Sequence, residues 1–182
     1  MGDTTARDMG RLSLNPLHHI DPMGLLMMVV FRFGWAKPVP INMYRFKEPK
    51  RDMALTALAG PVTSILLSAV MLIFYGLLFP LRNSMIGTFI LTVVATSAYL
   101  SLSLGVFNLL PVPPLDGSKV LFSLLSDEAY EKLMRYERYG MILLVALLSS
   151  GILRTPLSNA TEWVFDRLFP LAEWSYKLVT PR

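Results

Sequence analysis

Cysteine is absent from all 182 residues, which excludes a disulfide framework, a thiolate-held metal and a thiol nucleophile. Histidine is almost absent, with only His18 and His19. Charge is scarce as well: 16% of the residues are Asp, Glu, Lys or Arg, against about a quarter in soluble domains. The scarcity is patterned. No charged residue occurs from Met53 to Leu81, and none from Asn83 to Leu115. No basic stripe interleaved with aromatics appears. The net charge of +4 therefore reads as loop charge on a membrane protein, and no nucleic-acid partner is expected. No apolar stretch follows the opening Met1-Gly2-Asp3-Thr4-Thr5-Ala6-Arg7, so no signal peptide is expected. Internal repeats and low-complexity tracts are also missing.

What is present is apolar: 53% of the chain is hydrophobic. About 20 apolar residues cross a bilayer, so each uncharged run suffices for one crossing. The pattern predicts spanning helices over 53–79 and 85–109, joined by a tight turn at Pro80, Arg82 and Asn83. Residues 23–33, interrupted by Arg32, are too few to span and read as a re-entrant or interfacial segment in contact with lipid. The prolines of Ala36-Lys37-Pro38-Val39-Pro40-Ile41-Asn42 forbid helix and favour extended backbone. Residues 118–138 are amphipathic, with Val120, Leu121, Leu124, Leu125 and Leu133 near one stripe. Residues 139–153 are a short candidate third crossing. Aromatics mixed with charges in 155–182 suit an interfacial amphipathic helix. The expected fold is thus an all-α polytopic membrane protein of about three transmembrane helices. Its membrane domain covers 1–154, followed by an amphipathic tail, 155–182. Loops 45–52 and 119–138 each carry four basic residues and the 80–84 turn one, which places the first two on the cytoplasmic side.

The candidate chemistry sits after the second run, in Asn108-Leu109-Leu110-Pro111-Val112-Pro113-Pro114-Leu115-Asp116-Gly117. Irregular backbone at membrane depth is tolerated only in protein or beside a wet cavity, and a lone carboxylate there is costly. Asp116 therefore marks a polar pocket, or else it caps the helix that starts at Gly117. Asn108 either faces that pocket or hydrogen-bonds between helices.

This segment resembles the Asn-x-x-Pro-x-Pro-x-Leu-Asp-Gly motif of the site-2 protease family, the intramembrane zinc metalloproteases. Gly10-Arg11-Leu12-Ser13-Leu14-Asn15-Pro16, His19-Ile20-Asp21-Pro22, Gly34-Trp35-Ala36-Lys37-Pro38-Val39-Pro40, Arg51-Asp52-Met53-Ala54-Leu55 and Ala57-Leu58-Ala59-Gly60-Pro61 are similar to the compact bacterial branch. The similarity keeps order and spacing over about residues 1–153. Ser64 departs from it, standing where that branch usually has Asn. The resemblance implies Zn2+ as cofactor, Asp116 as a zinc ligand, and Asn108 as an active-site residue near the scissile peptide. It also implies transmembrane protein substrates and a multi-pass place in a cell membrane, expected to be a bacterial inner membrane. The edge at Pro38, Val39 and Pro40 is a candidate substrate-binding strand, with an ordinary interfacial loop as the alternative.

The family's His-Glu-x-x-His helix, which supplies two zinc-binding histidines and the general base, has no counterpart here. Adjacent His18 and His19 point about 100° apart on a helix and to opposite faces of a strand. They do not reproduce an i, i+4 chelate, and His19 is expected to make a structural hydrogen bond. A start codon assigned too late, a shortened chain, or a non-catalytic relative that binds transmembrane clients would each account for this. The 182 residues alone are expected to be inactive. A small transporter with Asp116 in an ion path would leave the family motifs unexplained.

Overall fold

A computed structural model describes residues 2–31 and 34–180, all but the side chain of Phe31. The chain forms two compact units, Met1–Met53 and Ala54–Arg182.

In the first unit, short polar side chains start each local element. Helix α1 is Thr5–Asp8. The Asn15 side chain accepts from the Leu17 amide and begins a 3-10 turn, Pro16–His18. The Asp21 carboxylate accepts from the amides of Met23 and Gly24 at 2.8 and 3.0 Å, opening α2, Pro22–Phe31. Its 10 residues rise about 15 Å, half a bilayer core. Arg32 and Phe33, the end of the segment expected to re-enter, lie outside the described residues. The returning chain presses on α2 so closely that a Cβ on Gly24 would collide with the Trp35 carbonyl. Beyond it, Ile20 and Ala36 form one antiparallel bridge, and the Lys37 amide donates to the His19 carbonyl at 2.9 Å. The extended stretch then reaches a 3-10 turn at Met43–Arg45, capped by Asn42.

In the second unit, α3 (Pro49–Leu78) and α4 (Met85–Asn108) form the expected hairpin. Both are long and apolar enough to cross a membrane. A 3-10 turn, Phe79–Asn83, joins them, and the Ser84 hydroxyl accepts from the Gly87 amide to start α4. The chain continues through α5 (Asp116–Ser123), α6 (Asp127–Tyr136) and α7 (Gly140–Ser149). Then come α8 (Arg154–Leu168) and α9 (Pro170–Val179). Among the described residues no strand forms beyond the single bridge.

Two expectations need adjustment. The third crossing is not one straight helix. The run Asp127–Ser149 meets Arg154–Val179 at an 88° bend, so the pair amounts to a broken span or a re-entrant loop. Nor is 118–138 one amphipathic helix. It breaks at Leu124, which is 80% exposed, and buries Phe122 and Tyr130. A break resets the helical phase, so a stripe drawn across it misassigns the buried face.

Within the tail 155–182, expected along the membrane interface, helices α8 and α9 pack on the hairpin. Leu72 of α3, Ala98 of α4 and Ala172 of α9 form a buried cluster, closed by Met71, Tyr75, Phe165 and Leu168. At Gly76 the approach is backbone to backbone: a Cβ there would fall on the Ala172 carbonyl oxygen and the Ser175 hydroxyl. The helices meet closely because small residues face each other.

Candidate active site

The candidate site begins where α3 and α4 approach each other. Gly105 faces α3, and a Cβ on it would stand 3.0 Å from the Pro61 carbonyl and 3.2 Å from the Ser64 Cβ. Pro61 lies inside α3. Having no amide hydrogen, it leaves the Ala57 carbonyl without its usual helical donor. The departure at Ser64 therefore falls on the crossing itself, where a larger side chain would press on Gly105.

α4 stops at Asn108, and the three prolines that follow carry the chain into a tight reversal. The Leu115 amide donates to the Val112 carbonyl at 3.0 Å. Ser118, buried, donates its hydroxyl to the Leu115 carbonyl at 2.7 Å. The first turn of α5 folds back so tightly that a Cβ on Gly117 would overlap the Leu109 carbonyl and crowd that of Leu110. Asn108 precedes one partner of this contact and Asp116 precedes the other, so the reversal brings the two neighbourhoods together. Gly140, at the start of α7, backs the loop by lying against Pro113.

Asp116 is the first residue of α5, with Leu115 at the N-cap and no side-chain cap. Capping, the structural alternative for Asp116, is not what the carboxylate does. It is half-buried and directed at α3, where a Cβ on Gly60 would stand 3.2 Å from its Oδ2. Neither its oxygens nor the Asn108 side chain has a hydrogen-bond partner among the described residues. Burial pushes the Asp116 carboxyl above its ordinary pKa, and the charge of Lys119 one turn on partly offsets this. Lys119 in turn reaches Glu137, with Nζ 4.0 Å from Oε1.

The other candidates lie in the first unit. His19 Nε2 is 2.7 Å from the Ser13 carbonyl, so it donates there, the structural hydrogen bond expected of it. His18 is exposed. Among the described residues no group of three or more His, Cys, Asp or Glu is placed to hold a metal ion. Pro38 and Val39 are exposed and Pro40 half-buried, on extended backbone. A cleft of about 240 Å³ opens beside the bridge, with His19, Leu25, Met28 and Trp35 in its wall.

Comparison with known proteins bears on this arrangement. Residues 80–150, which hold α4, the proline loop and Asp116, match the model of peptidase family M50. "Putative zinc metalloprotease YwhC" of Bacillus subtilis is 35% identical over 165 residues, covering 89% of this chain and 73% of that protein. The chain belongs to peptidase family M50. Two further relatives, both named "Putative zinc metalloprotease Rip2", come from Mycolicibacterium smegmatis and Mycobacterium tuberculosis. They are 28% and 29% identical over 169 residues, 91% of this chain, which spans 64% of each. No solved structure matches significantly.

Within this M50 chain, sequence reasoning did not single out Gly60 or Lys119. The signal for Gly60 was its place before an intrahelical proline, where a helix rarely carries two breakers without a packing reason. Lys119 offered no such signal beyond lying three residues after Asp116.

Proposed function

We propose that this chain supplies the aspartate ligand and the polar substrate pocket of an intramembrane zinc metalloprotease that cleaves transmembrane segments in a cell membrane. The observation that carries this reading is the Asp116 carboxylate: half-buried, without a hydrogen-bond partner among the described residues, and close against Gly60 of α3. Burying a carboxylate without partners is unfavourable, so its presence there argues for a ligand. Asn108, equally unengaged, is suited to donate to a substrate carbonyl or a developing oxyanion. Pro38, Val39 and Pro40 present an edge to which an unwound substrate segment adds as a strand.

Zinc is the metal that family membership implies, and the donors of these 182 residues do not by themselves fit it. A stable protein site takes three or four ligands. Asp116 supplies one, His19 is engaged with Ser13, and no His-Glu-x-x-His occurs in the sequence. The shortage favours, as a second reading, a non-catalytic protein that holds transmembrane clients in the same pocket.

Purified 1–182 is expected to carry well under one zinc per chain after mild chelation and to cleave no transmembrane peptide. A full, tightly held zinc would overturn the assignment of ligands. Joining a His-Glu-x-x-His helix upstream should yield zinc-dependent cleavage that Asp116→Ala abolishes. Zinc uptake without cleavage would support the client-holding reading instead.

A further inference from the structure

The outward face of the α8–α9 pair carries charge near the mid-level of α4. The two helices run almost continuously, because Phe169 between them keeps helical angles (φ −56°, ψ −33°). Phe165 packs edge-on against Tyr99 with ring centroids 6.0 Å apart, and Tyr176 packs against Phe79 at 5.4 Å. Tyr99 lies 14 residues beyond Met85 and 9 before Asn108. Asp166, beside Phe165, is therefore within about 5 Å of the mid-level of α4 at 1.5 Å per residue.

At 100° per residue, Glu162, Asp166, Glu173 and Lys177 fall within about 60° of one another. All four are exposed, whereas Thr161, Ala172 and Ser175 on the opposite side are buried. Asp166 and Glu173 have no cation partner among the described residues. Carboxylates at mid-bilayer are strongly disfavoured toward lipid and face protein or water.

A second feature indicates which. Arg167 sits over the Trp163 ring, 4.3 Å from its centroid, and lies about 100° around the helix from Asp166. Trp163 and Trp174, both more than half exposed at 59% and 56%, fall between them. The face is an aromatic strip with Glu162, Asp166 and Glu173 along one edge, where Lys177 also lies, and Arg167 on the other. A partner of one charge sign would satisfy only one of these. Two copies inserted in the same direction, related by a two-fold axis along the membrane normal, set each acidic edge against the other's basic edge at equal depth. Asp166 and Arg167 differ by one residue in depth.

We propose that this face binds the same face of a second copy, with Asp166 paired to Arg167 of the partner subunit and Trp163 and Trp174 at the centre. The cysteine-free chain makes the test clean. In membranes containing the full chain, Asn159→Cys and Trp174→Cys should each cross-link on oxidation to a band of twice 20.4 kDa. Phe89→Cys on the exposed side of α4 should not. Adding Asp166→Arg should reduce cross-linking about ten-fold, and adding Arg167→Asp to that variant should restore it. Three results would overturn the pairing: equal cross-linking at Phe89→Cys, no rescue by the charge swap, or no dimer at either position. Ready labelling of Trp174→Cys by a membrane-impermeant thiol reagent would also do so, since it would make the face water-lined.

Discussion

Two glycines at the candidate site differ in what a single methyl group would do. At Gly117 the added carbon would meet the main-chain carbonyls of Leu109 and Leu110, which move only if the reversal opens. At Gly60 it would meet only the end of the Asp116 side chain, at 3.2 Å, and helix propensity favours alanine over glycine by about 1 kcal/mol. Gly117→Ala is therefore expected to destabilise by about 1–3 kcal/mol, as overpacking does. Gly60→Ala should leave stability unchanged or raised while displacing the carboxylate. Thermal melts followed by the fluorescence of the three tryptophans would read the difference. Equal losses for both variants would mean that the tight reversal is not the constraint described. At this scale the sequence was legible at His19, whose structural hydrogen bond runs to the Ser13 carbonyl. The caps at Asn15, Asp21, Asn42 and Ser84 were not singled out in it. The sequence assigned no role to Gly60 or Lys119, whose roles arise from neighbours far along the chain or across a helix turn.

Among the elements, the N-terminal segment is held by charge. The Asp3 carboxylate accepts from the Thr5 hydroxyl and from the amides of Asn42 and Thr5. Asp8 pairs with Arg45 at 3.0 Å. These contacts, with the Thr5 hydroxyl foremost for Asp3 and the Arg45 guanidinium for Asp8, hold both carboxyls below their ordinary 3.8. A depressed folded-state pKa contributes stability that is complete above the unfolded value and is lost as pH falls through the lower, folded one. Attachment of residues 3–8 to 42–45 should thus persist at pH 5 and loosen only below about pH 3.8. Hydrogen-exchange protection of the Asn42 amide, corrected for its intrinsic rate, would follow this. Protection lost already above pH 5 would show that some other contact holds the segment. Element types were largely legible from charge-free runs and prolines. The break at Leu124 was not, because the burial of Phe122 and Tyr130 depends on what lies opposite them.

For the whole molecule, the hairpin and the distribution of basic residues set the topology. Single cysteines at Lys47 and Glu128 should react with an impermeant reagent from the cytoplasmic side, and one at Asn83 only from the other. Labelling of positions 83 and 128 from one side would contradict α4 as a complete crossing. The sequence by itself determined the membrane class and the α3–α4 hairpin, because long uncharged runs have one good solvent. Asp116 stood as a candidate ligand only through the family resemblance, with capping as the alternative from the residues alone. Only the tertiary structure decided that 154–179 packs along the hairpin, that Asp116 faces Gly60 instead of capping α5, and that the charged face of α8–α9 lies level with the middle of α4. Amphipathicity states that a helix has a polar side. What that side meets depends on contacts between residues as distant in sequence as Tyr99 and Phe165, or Gly76 and Ala172, which no local pattern encodes.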